Sequence, residues 1–318
     1  MNKVKIKELQ QSRESGKLAR ESYWTEVKDL LENLSDFALL QKHFGNNLLI
    51  QDGQLLVDMK ATQTHGSRLL MMLDENDVRS VPFSVLADGY YEPFQSDILL
   101  ELGKNAKRFF DIGANMGFYS LALAIENPSL SVISFELQPS VFQKMQKNIE
   151  LNGLQQRIRL VNMGLGHQAG ELTMYIPKFT GTGGASFKNL HEDEGEAREI
   201  RVPVETLDTV ETGQVDLIKI DVEGFELNVI SGAYGLVTQY RPTIMAELLR
   251  KWMKPFGHTP QMFLDKLTSL NYRCFAINRE NLIEIDQIDE ETTETNFIFV
   301  HQDRSNHLDI VLKHVDKR

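Results

Sequence analysis

The chain has 318 residues, 42% of them hydrophobic and 25% charged, with a formal net charge of −11. That is enough apolar material for a full core without disulfides or structural metals, and a single cysteine excludes an intrachain disulfide. The acidic balance argues against long-range attraction to nucleic acid, which needs clustered Lys and Arg.

Residues 1–45 read as helical. Lys3, Lys5, Lys7 and Arg13 form a solvated face, while from Trp24 onward Val27, Leu30, Leu31, Leu34 and Phe37 fall at helical spacing. That apolar face is expected to pack either on the chain's own sheet or on a second copy, in a homodimer. The first residues lack the apolar stretch of a signal peptide, and no segment reaches the roughly 18 uninterrupted apolar residues of a membrane span. A soluble, cytoplasmic protein is expected, with no nucleic-acid partner.

Next, Leu48–Val57 brackets Asp52-Gly53, a hairpin signal. Connecting helices are expected around Leu69–Leu73 and Phe83–Leu86. Residues 1–90 thus read as an N-terminal cap of helices and a hairpin, 91–302 as the main domain, and 303–318 as a C-terminal tail.

From about residue 105 short apolar strands alternate with amphipathic helices. Strands are expected at Phe109–Ile112, Val132–Phe135, Ile158–Val161, Leu217–Ile220, Thr243–Ala246, Tyr272–Ile277 and Asn296–Val300. Helices fall at about 117–126, 140–151, 225–237 and 260–270, the second capped by Ser140 and stopped by Asn152-Gly153. The pattern predicts an α/β fold, a Rossmann-like, doubly wound, mostly parallel seven-stranded sheet. Its last two strands, with no long helix between them, are expected as an antiparallel edge hairpin. Cys274 reads as a buried strand residue.

Chemistry concentrates at strand ends. After Phe109–Ile112 comes Gly113-Ala114-Asn115-Met116-Gly117 and then a helix. Two glycines allow a tight turn and close backbone approach to a ligand, and the helix start adds free N–H groups. A nicotinamide loop would read G-x-G-x-x-G. Here the pattern is G-x-N-x-G, preceded by Asp111, which repels a pyrophosphate but suits a cationic amino group such as that of a methionine moiety. Glu136, closing the next strand, is placed to accept hydrogen bonds from both ribose hydroxyls of an adenosine. Asn162 and Met163 are candidates for the adenine edge and face, with turn formation as the alternative for Asn162.

Asp221 closes the fourth strand in Ile218-Lys219-Ile220-Asp221-Val222-Glu223-Gly224-Phe225-Glu226. With Glu223, and Glu247 at the end of the next strand, it is the natural carboxylate to meet a reacting hydroxyl. Such a group acts as a base directly, or Asp221 and Glu247 hold a hard cation such as Mg²⁺. Glu226 reads as charge complementing a helix N-terminus. The Asn/Asp-Pro-Pro-Tyr motif of enzymes acting on base amines is absent. Between Leu172–Ile176 and Ile200–Val204 lies a glycine-rich segment of the kind that forms substrate loops, with Ser186 and a surface His191 as acceptor-site candidates.

With these residues in place, Phe110–Gly117, Phe135-Glu136, Glu205-Thr206-Leu207-Asp208 and Ile218–Glu226, led by Tyr91-Glu92-Pro93, resemble the FkbM family of O-methyltransferases. The likeness covers about residues 90–250, and Ile-Lys-Ile-Asp-Val-Glu-Gly is its most specific block. It implies a class I methyltransferase fold over 91–302, S-adenosylmethionine as donor, and a hydroxyl acceptor on a sugar, glycan precursor or related natural product. Asp111, Gly113, Asn115, Gly117, Glu136, Asn162 and Met163 are then the expected cofactor residues, and Asp221, Glu223 and Glu247 the catalytic ones. Two rivals stand beside it. One is an NAD(P)-dependent oxidoreductase on a similar sheet, and the other a non-catalytic scaffold.

Overall fold

All seven apolar runs picked out from residue 109 onward become strands of one sheet in the computed structural model. It describes residue 15 and residues 48–59, 68–74, 77, 80–88, 91–178, 183–192 and 195–316. The expected N-terminal helices over 1–45, and with them the face proposed for a homodimer, lie outside the described residues.

The chain enters through β1 (Leu48–Gln51), β2 (Gln54–Asp58) and β3 (Leu70–Met72), a small antiparallel sheet in that order. Asp52 and Gly53 take φ of 53° and 75°, the left-handed pair that a two-residue hairpin turn demands. The expected helix around Leu69–Leu73 is therefore a strand. Its short apolar run carries no period to separate the two, and pairing with β2 decides the outcome. Helices α1 (Val81–Asp88) and α2 (Pro93–Gly103) lead to the main sheet.

That sheet grows from β4 (Arg108–Ile112), α3 (Phe118–Glu126), β5 (Ser131–Phe135), α4 (Pro139–Leu151) and β6 (Ile158–Val161). An excursion follows: β7 (Gly164–Leu165), β8 (Gly170–Pro177) and β9 (Ala197–Glu205) form a separate three-stranded sheet in the order β7-β9-β8. The chain returns through α5 (Leu207–Val210), β10 (Leu217–Ile220), α6 (Glu226–Ser231), α7 (Tyr234–Tyr240), β11 (Thr243–Glu247), α8 (Arg250–Met253) and α9 (Pro260–Thr268). It closes with β12 (Tyr272–Asn278), β13 (Asn281–Ile285), β14 (Asn296–His301) and α10 (Ser305–Lys313).

The main sheet runs β13-β12-β14-β11-β10-β4-β5-β6. From β11 to β6 the strands are parallel, and β14, β12 and β13 are antiparallel. The fold is thus Rossmann-like. An eighth strand, β13, stands outside the expected seven, and β14 inserts between β11 and β12, so the outermost hairpin is β12–β13. Alternate residues face two cores. Phe109, Val132, Leu217 and Met245 pack against α2, α3, α4 and α10, while Phe110, Ile133, Ile218 and Ile244 pack against α6, α7 and α9. Cys274 lies in the second core, 1% exposed.

Three local expectations are corrected. The single helix expected over 225–237 breaks at Gly232-Ala233, where a Cβ on Gly232 would meet the Gly166 carbonyl oxygen at 1.8 Å. Ser140 does not cap α4. Pro139 opens the helix, and Ser140 sits inside it with Oγ 3.1 Å from the Gln138 amide nitrogen. The segment after residue 302 folds as α10, anchored by Arg304. Its guanidinium donates to the carbonyls of Val215, Tyr240 and Arg241 and to Asp216. Beyond α10, Leu282 of β13 donates to the His314 carbonyl at 2.9 Å and accepts from the Asp316 N–H at 3.0 Å.

β4 is where the parallel order reverses: β5 and β6 continue from it on one side, β10 and β11 on the other. In open α/β sheets the crevice at such a point, outside the carboxyl ends of the strands, is where ligands bind.

Candidate active site

At the end of β4 the backbone turns through three left-handed residues, Gly113 (φ 79°), Asn115 (φ 50°) and Gly117 (φ 90°). Gly113 is also fixed by space, because a Cβ there would lie 1.8 Å from the Asp221 carbonyl oxygen. The turns after β4 and β10 therefore touch backbone to backbone. The N–H groups of Gly113 and Ala114 both donate to the Phe135 carbonyl at 3.0 Å, tying the turn to the end of β5 as well.

Glu136 completes that tie. Its Oε2 accepts from the Asn115 N–H at 2.8 Å and its Oε1 from the Gln138 N–H at 2.7 Å. Burial pushes its carboxyl up to about 7, while the N–H donors pull the other way. The Asn115 side chain accepts from the Met116 N–H at 2.7 Å.

Behind the turn lies a charged cluster. Asp111 and Lys219 are register partners on β4 and β10, and each is at least nine-tenths buried. Ser120 donates to Asp111 Oδ2 at 2.6 Å, whereas the buried Oδ1 has no hydrogen-bond partner. Burial raises the Asp111 carboxyl and Lys219 opposes the rise. The Lys219 ammonium lies 2.9 Å from Asp221 Oδ2 and 5.1 Å from the centre of the Tyr119 ring. Burial works to strip it of its proton, but the charges of Asp221, Asp111 and Glu92 outweigh burial and hold it above the ordinary lysine value. Glu92, left-handed at φ 42°, accepts from the Tyr119 hydroxyl.

The carboxylates after β10 and at the end of β11 are set apart by their surroundings. Burial and then the Asp221 charge push Glu223 up to about 7 and Glu247 up to about 9. Glu223 is left-handed, at φ 52°, and next to it a Cβ on Gly224 would meet the Trp252 carbonyl oxygen at 2.2 Å. The substrate-loop candidate is strapped onto this turn, since Ser186 Oγ donates to the Glu223 carbonyl at 2.8 Å. Glu226, at the start of α6, is 1% exposed. Its Oε1 accepts from the N–H groups of Val222 and Gly224, and burial pushes it up to about 8.

These turns open on a cleft enclosing about 1130 Å³, its solvent-filled mouth included. Of the residues expected at the site, Gly113, Asn115, Glu136, Met163, Ser186, Asp221 and Glu223 wall it. Asp111, Gly117, Asn162, Glu247 and His191 stand outside the wall. Gly117 starts α3, and a Cβ on it would press Met145 at 2.9 Å. Asn162 is exposed and its Nδ2 donates to the carbonyls of Glu136 and Leu137, the turn-forming alternative. The expectation of a surface His191 is corrected: it is 8% exposed, its ring 4.9 Å from that of Trp252.

Sequence reasoning gave no role to Lys219, Tyr91, Tyr119, Ser80 or Val81, all of which line the cleft. A lysine inside the otherwise apolar run Leu217-Ile218-Lys219-Ile220 of a central strand was the signal, because a lysine is buried only when it is paired. The donor set does not suit a divalent cation. Lys219 already occupies Asp221 Oδ2, and among the described residues no three His, Cys, Asp or Glu side chains form a group that could hold a metal.

Residues 111–274 match the model of the methyltransferase FkbM domain. Methyltransferase sdnD of Sordaria araneosa is 26% identical over 181 residues, 48% of this chain and 68% of that protein. Methyltransferase 1 of Beauveria bassiana (strain ARSEF 2860) is 26% identical over 141 residues, 38% of this chain and 56% of that one. The crystal structure of methyltransferase FkbM from Methylobacillus flagellatus KT is similar at a TM-score of 0.41 and 15% identity, over 71% of this chain and 55% of that one. The chain therefore spans little more than half the length of the last two. Among the described residues no helix is long and apolar enough to cross a membrane.

Proposed function

The chain belongs to the methyltransferase FkbM domain family, and from that premise we propose that it transfers a methyl group from S-adenosylmethionine to a hydroxyl of a sugar, glycan precursor or related natural product. Residues 91–302 are the catalytic unit in this reading, capped by 1–90 and followed by the segment 303–318, whose helix α10 packs into the first core. The observation that carries the proposal is one cleft walled by Glu136 on one side of the Gly113 turn and by Asp221 on the other.

Bound there, S-adenosylmethionine would supply a sulfonium methyl open to in-line displacement. The chain's own groups fit the rest of that molecule. Each Glu136 oxygen spends one lone pair on an N–H and keeps capacity for a ribose hydroxyl. Asp111 Oδ1, buried behind the cleft wall and without a partner, is an acceptor in want of a donor, which a cationic amino group in the cleft would reach through a water. Gly113 and Asn115 keep the turn close enough for backbone approach, and Met163 offers an apolar face.

At the acceptor end Asp221 orients the hydroxyl. As the oxygen bonds to the methyl carbon and the carbon–sulfur bond breaks, the hydroxyl proton passes to a carboxylate. Glu223, held near neutrality, is tuned for that step, with Asp221 and Glu247 beside it. Lys219 supplies the positive charge in this cluster, so the step needs no metal. Ser186 and His191 belong to the strapped loop that borders the acceptor.

Calorimetric titration with S-adenosylhomocysteine tests the reading. Micromolar binding supports it, and screening of hydroxylated acceptors follows. Absence of binding overturns the donor assignment.

A further inference from the structure

The small β1–β3 sheet docks on α4 in an unusual way. Along β3 the N–H groups of Leu70 and Met72 turn toward the helix, where Asn152 Oδ1 and Asn148 Oδ1 accept them, each at 2.9 Å. Asn152 Nδ2 returns a bond to the Leu70 carbonyl at 2.7 Å. Two asparagines one turn apart thus stand in for a neighbouring strand. Asn148 differs from Asn152 in its other end: it is 0% exposed, and its Nδ2 donates at 2.9 Å to the carbonyl of Met116, inside the turn between Gly113 and Gly117.

An amide has one acceptor end and one donor end, and it can be flipped. The Met72 N–H fixes the oxygen, so the nitrogen must face Met116. We propose that Asn148 is a positioning residue for the donor-binding turn, and that β3 sets its orientation, which makes the N-terminal sheet part of the donor site. The turn needs such support. It holds three left-handed residues, one of them the non-glycine Asn115, and such conformations persist only where surrounding bonds over-determine them. Without the Met116 bond, a buried carbonyl loses its donor and the turn loses its link to α4. The proposal rests on the donor reading for its ligand, but not for its geometry.

Asn148→Asp keeps the acceptor for Met72 and replaces the donor to Met116 with an oxygen. Met72→Pro removes the N–H that fixes the amide, on the strand edge facing the helix, and reaches the same loss from the other end. Asn152→Asp is the control, because it damages β3 docking without touching Met116. The full chain is titrated with S-adenosylhomocysteine and melted, and hydrogen exchange of the 113–117 amides is followed without ligand. The expected result is a tenfold or greater loss of affinity and faster exchange in the turn for Asn148→Asp and Met72→Pro. Asn152→Asp should lower the melting temperature yet keep affinity within twofold. Wild-type affinity and exchange in a folded Asn148→Asp or Met72→Pro, or equal losses in Asn152→Asp, overturn the proposal. If the unaltered chain does not bind the probe, the donor reading fails, and the exchange measurement still decides this one.

Discussion

Lys219 and Asp221 stand two residues apart at the end of β10, and the ammonium of one lies 2.9 Å from the carboxylate of the other. The pair is more than local. Asp111 is the strand partner of Lys219 and Glu92 also acts on it, so one buried cation balances carboxylates from three segments of chain. Removing one partner of a buried charge cluster leaves the others uncompensated. Lys219→Met is expected to cost about 3 kcal/mol or more of stability, read by urea unfolding. Unchanged stability would mean that solvent, not Lys219, carries the neutralising charge.

Asp221→Asn is nearly isosteric and leaves the Asp221 carbonyl against Gly113 in place. It should abolish turnover while S-adenosylhomocysteine affinity stays within a few-fold. Affinity and melting temperature falling together would make Asp221 a structural residue instead.

Glu136→Ala removes the acceptor for two N–H groups and, in the proposed complex, for the ribose hydroxyls. S-adenosylhomocysteine affinity should drop by about 1–3 kcal/mol, measured by calorimetry. An affinity equal to that of the unaltered chain removes the ribose assignment.

The apo protein should lose stability as pH rises. Glu136 and Glu223 are pushed up to about 7, Glu226 to about 8 and Glu247 to about 9, each from an ordinary 4.5 and each chiefly by burial. Between 4.5 and those values the folded chain keeps protons that the unfolded chain has released. Stability from these groups is thus fully present below 4.5 and is lost progressively up to about pH 9. Asp216 behaves oppositely, its carboxyl held below the ordinary value against burial by the Lys107 N–H and Arg304, but its window lies at lower pH. Burial lowers His307 to about 4 and also lowers His258 and His301, and these oppose the trend below about pH 6.5. Melting temperatures from about pH 6.5 to about pH 9 therefore check it, and a flat or rising series contradicts it.

The sheet was legible in the sequence because its strands are short apolar runs closed by turn residues, and the cofactor turn because Gly113 and Gly117 bracket it. Glu136 and Asp221 followed from their places at strand ends. What pattern reading missed depends on contacts distant in sequence. Leu70–Met72 has too few residues to show a period, and Asn148 looks like any polar helix residue until β3 and Met116 are brought to it. Glu226 was read as a helix-start charge, and only the fold of the Val222–Gly224 turn over it shows that it is buried. His191 is carried inward by the packing of its loop on Trp252, which no spacing rule anticipates.

The bonds between Leu282 and the backbone of His314 and Asp316 matter for handling the molecule. They cover part of the outer margin of β13, which would otherwise invite another strand to add on. Along the sheet that margin is four strand spacings from β10, about 19 Å, so a tether attached after Asp316 would leave the cleft unobstructed. Trimming the chain back past His314 would instead bare the margin, and preparations shortened there should clump where the longer chain stays dispersed.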